Sequence, residues 1–375
     1  MNSIEVLIIG AGAAGSSAAF HLANSGVQVT IVDKKHGFLL KPCGGGMAAS
    51  VQKWFPFSLE PIIEEVIQKV EFTWCLSDHV IAQLPGSSPF WITRREKLDE
   101  LITQKAIEQG ATLLQSFEVV KIFKIEGQWI ITSKDGQQLK SKCVVIADGS
   151  SSPWAREFNL GPKNLHYAST TSIRVNGKGL LKEGTSRFEF GLVHHGFAWA
   201  FPLKDSVNIG VGTFIGNHAV ESEKILNELM PSLGFDPKAG IRNDSRLRVW
   251  NGHSNLHGDG ILVIGDAASL CDPFLAEGLR PALLSGCEAA KCIINWLKGN
   301  TTELSSYTKS MKKKWGDSMA WGRRISQVFY RFPKIGYQLG IKRPTAPQRI
   351  AQILSGEMGY GDIAQRVIKR LILKS

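Results

Sequence analysis

Residues 4–15 read IEVLIIGAGAAG, an apolar run of strand length followed by a glycine-rich turn. Small apolar residues then keep helical spacing as far as Ser25, and residues 27–32 predict a second strand that ends at Asp33. This order of strand, turn, helix, strand and acidic residue is typical of an adenine-dinucleotide site. It therefore predicts a Rossmann-like domain with a parallel sheet, and a fortuitous glycine-rich turn is the alternative.

Each part of this segment has a physical role in such a site. Gly10 permits the tight turn, Gly12 lets the backbone approach a pyrophosphate, and Gly15 lets the helix pack on the strand. The N–H groups at the start of the helix favour phosphate charge, and Asp33 can accept hydrogen bonds from a ribose diol. The segment alone does not distinguish FAD from NAD.

The composition, 43% hydrophobic and 21% charged over 375 residues, is that of a globular protein with a sizeable core. No apolar run reaches the roughly 18 residues of a membrane-spanning helix, and the basic leader of a signal peptide is missing. The six cysteines form no CxxC pair or metal-ligand cluster, so we expect neither zinc nor disulfides. These features favour a cytoplasmic location.

The net charge of +11 belongs to the C-terminal fifth of the chain. Residues 301–375 contain 15 Lys and Arg against 4 Asp and Glu, whereas the first 300 residues carry 29 of each sign. This distribution argues against a nucleic-acid-binding core and indicates an appended helical surface that meets anions. Apolar residues at near-helical spacing among these cations suit an anionic lipid surface, and a half-buried helical cap is the alternative: Met311, Trp315, Met319, Ile325 and Phe329.

A second glycine-rich loop, KPCGGGM, covers Lys41 to Met47. Three consecutive glycines are unsuited to a helix or a strand, and they suit a backbone that passes close to another surface. That surface could be a flat cofactor ring. A flexible loop with one buried cysteine, Cys43, is the other interpretation.

The middle of the chain predicts a second domain. Strand patterns recur between Tyr167 and Trp250 and indicate a mostly antiparallel sheet that covers the cofactor. Gly210 and Gly212 lie within a strand pattern without a following helix, so we do not interpret them as a second nucleotide loop. That leaves no second Rossmann unit for a stably bound NAD(P)H.

The chain then returns to the nucleotide domain. A buried strand at Ile261–Ile264 precedes Gly265-Asp266, and a loop of small residues leads to a helix predicted over Leu279–Leu297. The start of this helix at Gly278 suits a partial negative charge.

The predicted fold class is α/β, with a discontinuous FAD- or NAD-type domain, an antiparallel-sheet substrate domain and a helical C-terminal segment. The predicted bounds are 1–58, 91–165 and 255–300 for the first, 59–90 and 166–254 for the second, and 301–375 for the third.

Four segments together resemble the FAD-dependent geranylgeranyl reductase family, within the flavoproteins of the p-hydroxybenzoate-hydroxylase type. They are GAGAAG with Asp33, the PCGGG-type loop, GDAASLCDPFLAEGLRPALLSG at residues 265–286, and FAWAFP at residues 197–202, which is similar to a YxWxFP motif. The resemblance covers about 300 of the 375 residues. It implies that the dinucleotide is FAD.

By this resemblance, the residues expected at FAD are Gly10, Gly12, Ala14, Gly15, Asp33, Cys43, Gly44, Gly46, Arg95, Val119, Asp266, Gly278 and Leu279. The first glycine loop would hold the pyrophosphate, with Asp33 at the adenosine ribose. Arg95 and Val119 would lie near ribose, phosphate and adenine, and Asp266 at the ribityl chain or a phosphate. The others would line the isoalloxazine ring, where Cys43 and Trp199 would face the substrate as catalytic residues.

The chain departs from the family pattern at three points. The tyrosine of YxWxFP is Phe197, the GEG triplet begins with Ala276, and Arg280-Pro281 opens the following helix. FAD binding is still expected, but these differences bear on the identity of the substrate.

The resemblance implies reduction of carbon–carbon double bonds in a prenyl chain on a lipid or a prenyl diphosphate, with hydride from reduced FAD. NADPH, ferredoxin or another donor protein would reduce the flavin transiently. The proton donor is open among Cys43, an ordered water, His194 and His195, although the histidine pair fits a strand end at the surface.

Two other functions are compatible with the sequence. FAWAFP is also similar to the WxWxIP motif of flavin-dependent halogenases, in which Lys41 would be the catalytic lysine of a halogenase or a related monooxygenase. A flavin-binding electron carrier without a substrate cavity is the non-enzymatic alternative.

Overall fold

A computed structural model describes residues 4–38, 41–87, 89–214 and 221–365 of the chain. The last ten residues of the predicted C-terminal segment lie outside this range. Within it, eight strands form the first sheet: β1 (Ile4–Ile9), β2 (Val29–Val32), β8 (Thr112–Leu114), β9 (Val119–Ile125), β10 (Gln128–Ser133), β11 (Gln138–Ile146), β17 (His257–Gly258) and β18 (Ile261–Val263). This mixed sheet has the order β17-β18-β11-β1-β2-β8, with β10 antiparallel to β11 and β9 paired to β10.

The parallel core of this sheet brings distant segments to one edge. β1 pairs in parallel with β2 and β11, so that Ile9 lies beside both Val32 and Ile146, and β11 continues in parallel to β18. Parallel strands end at the same edge of a sheet, which is where ligands bind in such folds. The turns after β1, β2, β11 and β18 therefore meet there, as the repeated returns of the chain predicted.

Helices α1 (Ala13–Ala23) and α2 (Arg95–Glu108) pack against each other, and α5 (Leu279–Leu297) packs against α1. The contact between α1 and α5 is close because a Cβ at Gly286 would lie 2.5 Å from the carbonyl oxygen of Ala14. The Ser17 hydroxyl donates to the Leu283 carbonyl at 2.9 Å and fixes the same contact. The bounds predicted for α5 agree with the structure.

A second sheet of seven strands, counted among the described residues, has the order β16-β12-β15-β14-β13-β5-β6 and is antiparallel except where β13 meets β5. Helix α4 (Ser222–Ser232) covers one face with buried leucines. The strands are β5 (Lys69–Trp74), β6 (Ser77–Gln83), β12 (His166–Asn176), β13 (Thr185–Phe190), β14 (Gly196–Pro202), β15 (Ser206–Thr213) and β16 (Ile241–Val249). Gly210 and Gly212 lie inside β15, as predicted.

A third sheet joins the two parts of the molecule. Its strands are β3 (Gly46–Ala48), β7 (Phe90–Thr93) and β4 (Ile63–Ile67). The α/β class with two sheets and a helical C-terminal region is confirmed. The domain bounds stay a prediction, since this small sheet takes strands from segments on both sides of them.

From the sequence, residues 111–119 are expected to form one strand, and this expectation is wrong. The chain forms only the short β8 and then turns at Ser116, whose φ is +58°, before β9 begins at Val119. Apolar residues recur on both sides of Ser116, and nothing in the local pattern marks this residue as left-handed.

The C-terminal region contains α6 (Ser305–Met311), a π-helical turn (Lys312–Gly316), α7 (Asp317–Arg331), α8 (Pro333–Gly340) and α9 (Ala346–Leu354). A further short helix, α3 (Trp154–Glu157), lies earlier in the chain. Of the apolar residues that suggested a lipid-facing stripe, Met311, Trp315, Met319 and Phe329 are buried against the body. These residues are wrong as a lipid interface, because the four form the inner face of the helices and the fifth, Ile325, is half-buried against the same core. None of the described helices has the length and apolarity needed to cross a membrane.

Candidate functional site

A cavity of about 560 Å³ lies between the carboxyl edge of the eight-stranded sheet and the aromatic face of the seven-stranded sheet. The predicted site residues that line it are Gly10, Gly12, Ala14, Asp33, Cys43, Gly44, Gly46, Arg95, Val119, Trp199, Asp266, Gly278 and Leu279. Segments as far apart in sequence as residues 10 and 279 are thus brought to one surface.

Gly15 is not among the described lining residues. A Cβ there would lie 1.9 Å from the carbonyl oxygen of Gly10, so its glycine is required for packing the helix against the turn. This is the packing role that the sequence predicts for Gly15, and its contact with a pyrophosphate stays a prediction. Gly10 has φ +108°, and its own Cβ would meet the carbonyl oxygen of Ala147 at 2.5 Å.

Gly12 presents an open face at the start of α1. The nearest atom to a Cβ built there is Lys41 Nζ at 3.5 Å, and none of the described side chains caps the helix. Lys41 and Arg95 both lie at this point, held by the buried carboxylate of Asp99, with Lys41 Nζ 2.8 Å from Asp99 Oδ2. Two cations beside a free helix N-terminus form a strongly anion-attracting surface.

The electrostatics at Arg95 depend on Asp99. Burial opposes the charge of Arg95, but the neighbouring carboxylate more than offsets this and raises the pKa of the guanidinium above its ordinary value. Arg95 therefore stays a cation inside the cavity wall.

Asp33 connects the end of β2 to the glycine turn. Its Oδ2 accepts the N–H of Ala11 at 2.8 Å and its Oδ1 accepts the N–H of Lys35 at 2.9 Å. Each carboxylate oxygen can accept a second hydrogen bond, so Asp33 retains acceptor capacity for a diol.

The Cys43 loop fits closely against aromatic side chains. A Cβ at Gly44 would lie 3.0 Å from the Phe201 ring, and one at Gly46 would lie 2.6 Å from the Phe90 ring. Gly45 has φ +79° and its Cβ would meet the carbonyl oxygen of Thr93. The glycines are therefore needed for close approach to aromatic rings and backbone of the protein itself, and the approach of this loop to a cofactor ring stays a prediction.

A residue that the sequence does not indicate, Asn208, joins this loop to the second sheet. The indole N–H of Trp199 donates to Asn208 Oδ1 at 2.9 Å, and Asn208 Nδ2 donates to the Cys43 carbonyl at 3.0 Å. The position of the Cys43 thiol is further fixed by the Gly45 N–H, 3.3 Å from Sγ. The cross-strand pairing of β14 with β15 is what brings Asn208 here, and no local sequence pattern marks it.

Gly210 makes room for the Trp199 indole. The two residues are cross-strand partners, and a Cβ at Gly210 would lie 2.0 Å from the indole ring. The paired positions of Gly210 and Trp199 thus place a large ring flat over the sheet, facing the cavity.

The wall around Trp199 is aromatic. The ring of Phe197 lies 4.9 Å from that of Phe214, 5.5 Å from Phe188 and 5.8 Å from Phe190, measured between centroids. All of these rings are buried. The residue that replaces the family's tyrosine is therefore part of a continuous apolar surface.

Buried acidic side chains lie where α5 begins. Asp266 lies near the start of α5, with its Oδ1 3.6 Å from a Cβ placed on Gly278, and burial raises the pKa of its carboxyl. Burial also raises the pKa of Glu277 to about 7, helped by the like charge of Asp272, although Arg280 lies 2.7 Å away. None of the described side chains caps α5, whose first residues line the cavity.

The loop before α5 is held by the C-terminal helices. Trp315 Nε1 donates to the Leu270 carbonyl at 2.8 Å, the Tyr330 hydroxyl to the Phe274 carbonyl at 2.5 Å, and the Tyr360 hydroxyl to Asp272 Oδ2 at 2.7 Å. The atypical Arg280 takes part as well, since its guanidinium lies 5.1 Å from the Trp315 ring centroid. The C-terminal segment therefore helps to shape the cavity.

Three residues were alternative catalytic candidates in the sequence: His194 and His195 as proton donors, and Lys41 as a halogenase lysine. His194 is exposed and His195 is half-buried, and neither is among the described residues that line the cavity. Lys41 is paired with Asp99 at the glycine turn. The described residues contain no group of three or more His, Cys, Asp or Glu placed to hold a metal ion.

The arrangement fits FAD. An elongated dinucleotide needs a diol acceptor, an anion site for its pyrophosphate and a flat slot for its ring, and the cavity offers these in Asp33, in the cation pair beside Gly12, and between the Cys43 loop and the start of α5.

Comparisons with known proteins support this interpretation. Residues 4–176 match the family model described as pyridine nucleotide-disulphide oxidoreductase. The chain is 26% identical to digeranylgeranylglycerophospholipid reductase 1 of Methanopyrus kandleri, over 86% of this chain and 90% of that protein. It is 27% identical to a menaquinone reductase of Mycobacterium tuberculosis, over 78% of this chain and 77% of that protein.

Two solved structures show the same fold. A geranylgeranyl bacteriochlorophyll reductase-like protein from Thermoplasma acidophilum superposes with a TM-score of 0.78 at 19% identity, covering 94% of this chain and 91% of that one. The flavin-dependent brominase Bmp2 gives a TM-score of 0.73 at 18% identity with both chains fully covered. With its FAD-binding fold and its geranylgeranyl reductase-like relatives, the chain is a flavin-dependent oxidoreductase.

Proposed function

We propose that this oxidoreductase reduces carbon–carbon double bonds in the prenyl chain of a lipid or lipid precursor. The observation that carries the proposal is the aromatic wall of the cavity around Trp199, which a single asparagine ties to the Cys43 loop. An apolar wall of this kind suits a prenyl chain better than a polar metabolite. The relatives named digeranylgeranylglycerophospholipid reductase and menaquinone reductase support a reductase rather than an oxidase.

Saturation of one double bond adds a hydride to one carbon and a proton to the other. Reduced FAD supplies the hydride when it is bound. Burial of the aromatic wall excludes water, and the rings of Phe197, Trp199 and Phe201 would orient the chain over the Cys43 loop. Because Phe197 has no hydroxyl, this position cannot donate the proton.

We propose that Cys43 supplies a thiol at the reacting chain. It lines the cavity beside Trp199, and its loop is fixed by Asn208 and by the Gly45 N–H. We propose that Cys43 directs the proton toward the substrate carbon, either itself or through an ordered water, and that Trp199 completes the site.

The electron donor is proposed to bind only transiently. Gly210 and Gly212 make room for side chains of the second sheet, and so do not form a second nucleotide loop. NADPH from solution or a reduced ferredoxin would each satisfy this requirement.

The proposal is tested by incubating purified holoprotein anaerobically with a reductant and a geranylgeranylated glycerophospholipid, followed by mass spectrometry of the lipid. We expect a mass increase of two hydrogens for each bond reduced. Cys43→Ala should retain yellow FAD and lose most turnover, whereas Cys75→Ala, at an exposed cysteine away from the cavity, should behave as wild type. Unchanged turnover in Cys43→Ala would refute the role of the thiol.

A flavin-dependent halogenase or monooxygenase is the second candidate, favoured by the full-length similarity in fold to a brominase. The pairing of Lys41 with Asp99 at the glycine turn argues against it, because a catalytic lysine would have to reach the aromatic end of the cavity. Incubation with reductant, oxygen, halide and candidate aromatics separates the two. Oxygen-dependent products without any activity on prenyl chains would refute the reductase.

A further inference from the structure

Four exposed apolar side chains lie together where α7 meets α8. We call them the exposed stripe: Val328, Phe332, Ile335 and Leu339, with exposed fractions of 67%, 55%, 58% and 53%. The other large apolar side chains that are exposed among the described residues are dispersed through the chain. Concentration of four within twelve residues marks an interaction surface.

The opposite face of the same helices is firmly anchored. Phe329 packs at 5.2 Å from Phe274 and 5.4 Å from Phe190, and the Tyr337 hydroxyl donates to the Phe72 carbonyl at 3.1 Å. Since these buried rings fix the rotation of both helices, the exposed stripe cannot turn inward to find cover within the chain.

The sequence segment that contains the exposed stripe carries only positive charge. Between Asp317 and Glu357 the sequence holds seven Lys and Arg and no Asp or Glu. Five of these cations are exposed: Arg324, Arg331, Lys334, Lys342 and Arg343. Acidic residues of other segments can still approach them, as Asp78 does at 2.7 Å from Lys342.

We infer that the exposed stripe docks the protein on the surface of an anionic lipid membrane. Aromatic and aliphatic side chains would enter the boundary between headgroups and acyl chains, while the surrounding cations contact lipid phosphates. A second copy of this chain fits poorly as the occupant, because a symmetric contact would bring two groups of cations together.

The exposed stripe lies close to the cavity, so docking would bring the cavity near the membrane surface. Phe329 and Val328 are neighbours in sequence, Phe329 contacts Phe190, and Phe190 contacts Phe197, which lines the cavity. Two successive buried rings, those of Phe329 and Phe190, therefore connect the docked face to the cavity wall. A lipid substrate would be drawn from the same membrane, but the docking itself does not rest on the proposed reaction.

The test is co-sedimentation of the holoprotein with vesicles of phosphatidylcholine alone or mixed with phosphatidylglycerol, at low and high salt. We expect binding to the anionic vesicles that salt weakens. Phe332→Ser with Ile335→Ser, and separately Arg331→Glu with Lys334→Glu, should each lower the binding constant at least about tenfold. Val120→Ser with Ile125→Ser, at exposed apolar residues of β9, is the matched control and should bind as wild type.

FAD content and melting temperature verify that each variant is folded, and turnover with a detergent-dispersed substrate separates docking from chemistry. Failure of the wild type to bind anionic vesicles, equal binding to neutral vesicles, or equal losses in the control would each overturn the inference. So would a concentration-dependent dimer in sedimentation velocity that Phe332→Ser with Ile335→Ser dissociates, since the exposed stripe would then face a second copy.

Discussion

Asn208 is a small residue on which the geometry of the candidate site depends. It accepts from Trp199 and donates to the carbonyl of Cys43, and so it connects the two residues proposed to face the substrate. It is not among the described lining residues, so its influence passes through those two partners.

We predict that Asn208→Ala lowers the free energy of unfolding by about 1–3 kcal/mol, because it leaves a buried indole N–H and a carbonyl without partners. FAD content should stay near that of wild type, while turnover falls because the Cys43 loop is no longer fixed. Denaturant unfolding and product formation measure the two effects. Thr213→Val on the same strand, which removes a hydroxyl bond to the His194 carbonyl, should cost stability without the loss of turnover.

Gly210 permits the position of Trp199. We predict that Gly210→Ala costs about 1–3 kcal/mol, since its Cβ would lie 2.0 Å from the indole. The cost should shrink when Trp199→Phe is also present, because the smaller ring leaves room for the methyl group. A double-mutant cycle in denaturant measures this coupling, and strictly additive effects would show that the two residues do not compete for space.

Glu277 makes the stability of the apo-protein depend on pH. Its pKa is raised to about 7 in the fold, chiefly by burial, so the native state retains a proton that the unfolded chain releases near its ordinary value. The stabilisation is complete in acid and is lost as the pH rises through about 7.

We therefore predict that the free energy of unfolding of wild-type apo-protein falls between about pH 4.5 and about pH 7, and that the free energy of Glu277→Gln falls by less, with a difference of up to about 3 kcal/mol. Parallel pH profiles for the two proteins would mean that Glu277 ionises normally in the fold.

At the scale of elements, the loop before α5 owes its shape to helices that follow it in sequence. Asp272 receives two backbone N–H groups of its own loop and the hydroxyl of Tyr360 from the C-terminal region. Residues shortly after Asp272 line the cavity, so this clamp connects the C-terminal helices to cofactor binding.

We predict that Tyr360→Phe lowers the free energy of unfolding by about 1–3 kcal/mol and speeds the loss of FAD on dilution, because it removes one partner of a buried carboxyl group. Flavin fluorescence on release measures the second effect. Tyr167→Phe, at a partly exposed tyrosine of β12, is the control. Equal FAD retention in Tyr360→Phe and wild type would contradict the proposed clamp.

For the whole molecule, the sequence was sufficient where a segment's structure depends on its own residues. The glycine turn, Asp33 and the bounds of α5 follow from local spacing, and parallel pairing then brings their ends to one edge. The sequence could not indicate features that depend on partners far away in the chain. These are the hydrogen bonds of Asn208, the hydrogen bond of Tyr360 to Asp272, and the choice of the buried face of α7.

The C-terminal helices illustrate the last point. Two apolar faces are present in residues 311–339, and periodicity cannot tell which one packs on the body. The buried partners Phe190 and Phe274 select the face that contains Phe329, and this leaves Val328 and Phe332 exposed. The basic surface lies in the segment that the sequence predicted, but the apolar residues exposed on it are not the ones that the sequence suggested.

The most direct measurement is an anaerobic single turnover with flavin that has been reduced in advance. The holoprotein is mixed with a geranylgeranylated lipid, and the return of yellow flavin absorbance is compared with the number of double bonds saturated, counted by mass spectrometry. The proposed function predicts one bond saturated for each flavin reoxidised, with Cys43→Ala slow in both readouts. Flavin that stays reduced until oxygen is admitted, with the prenyl chain unchanged, would contradict it.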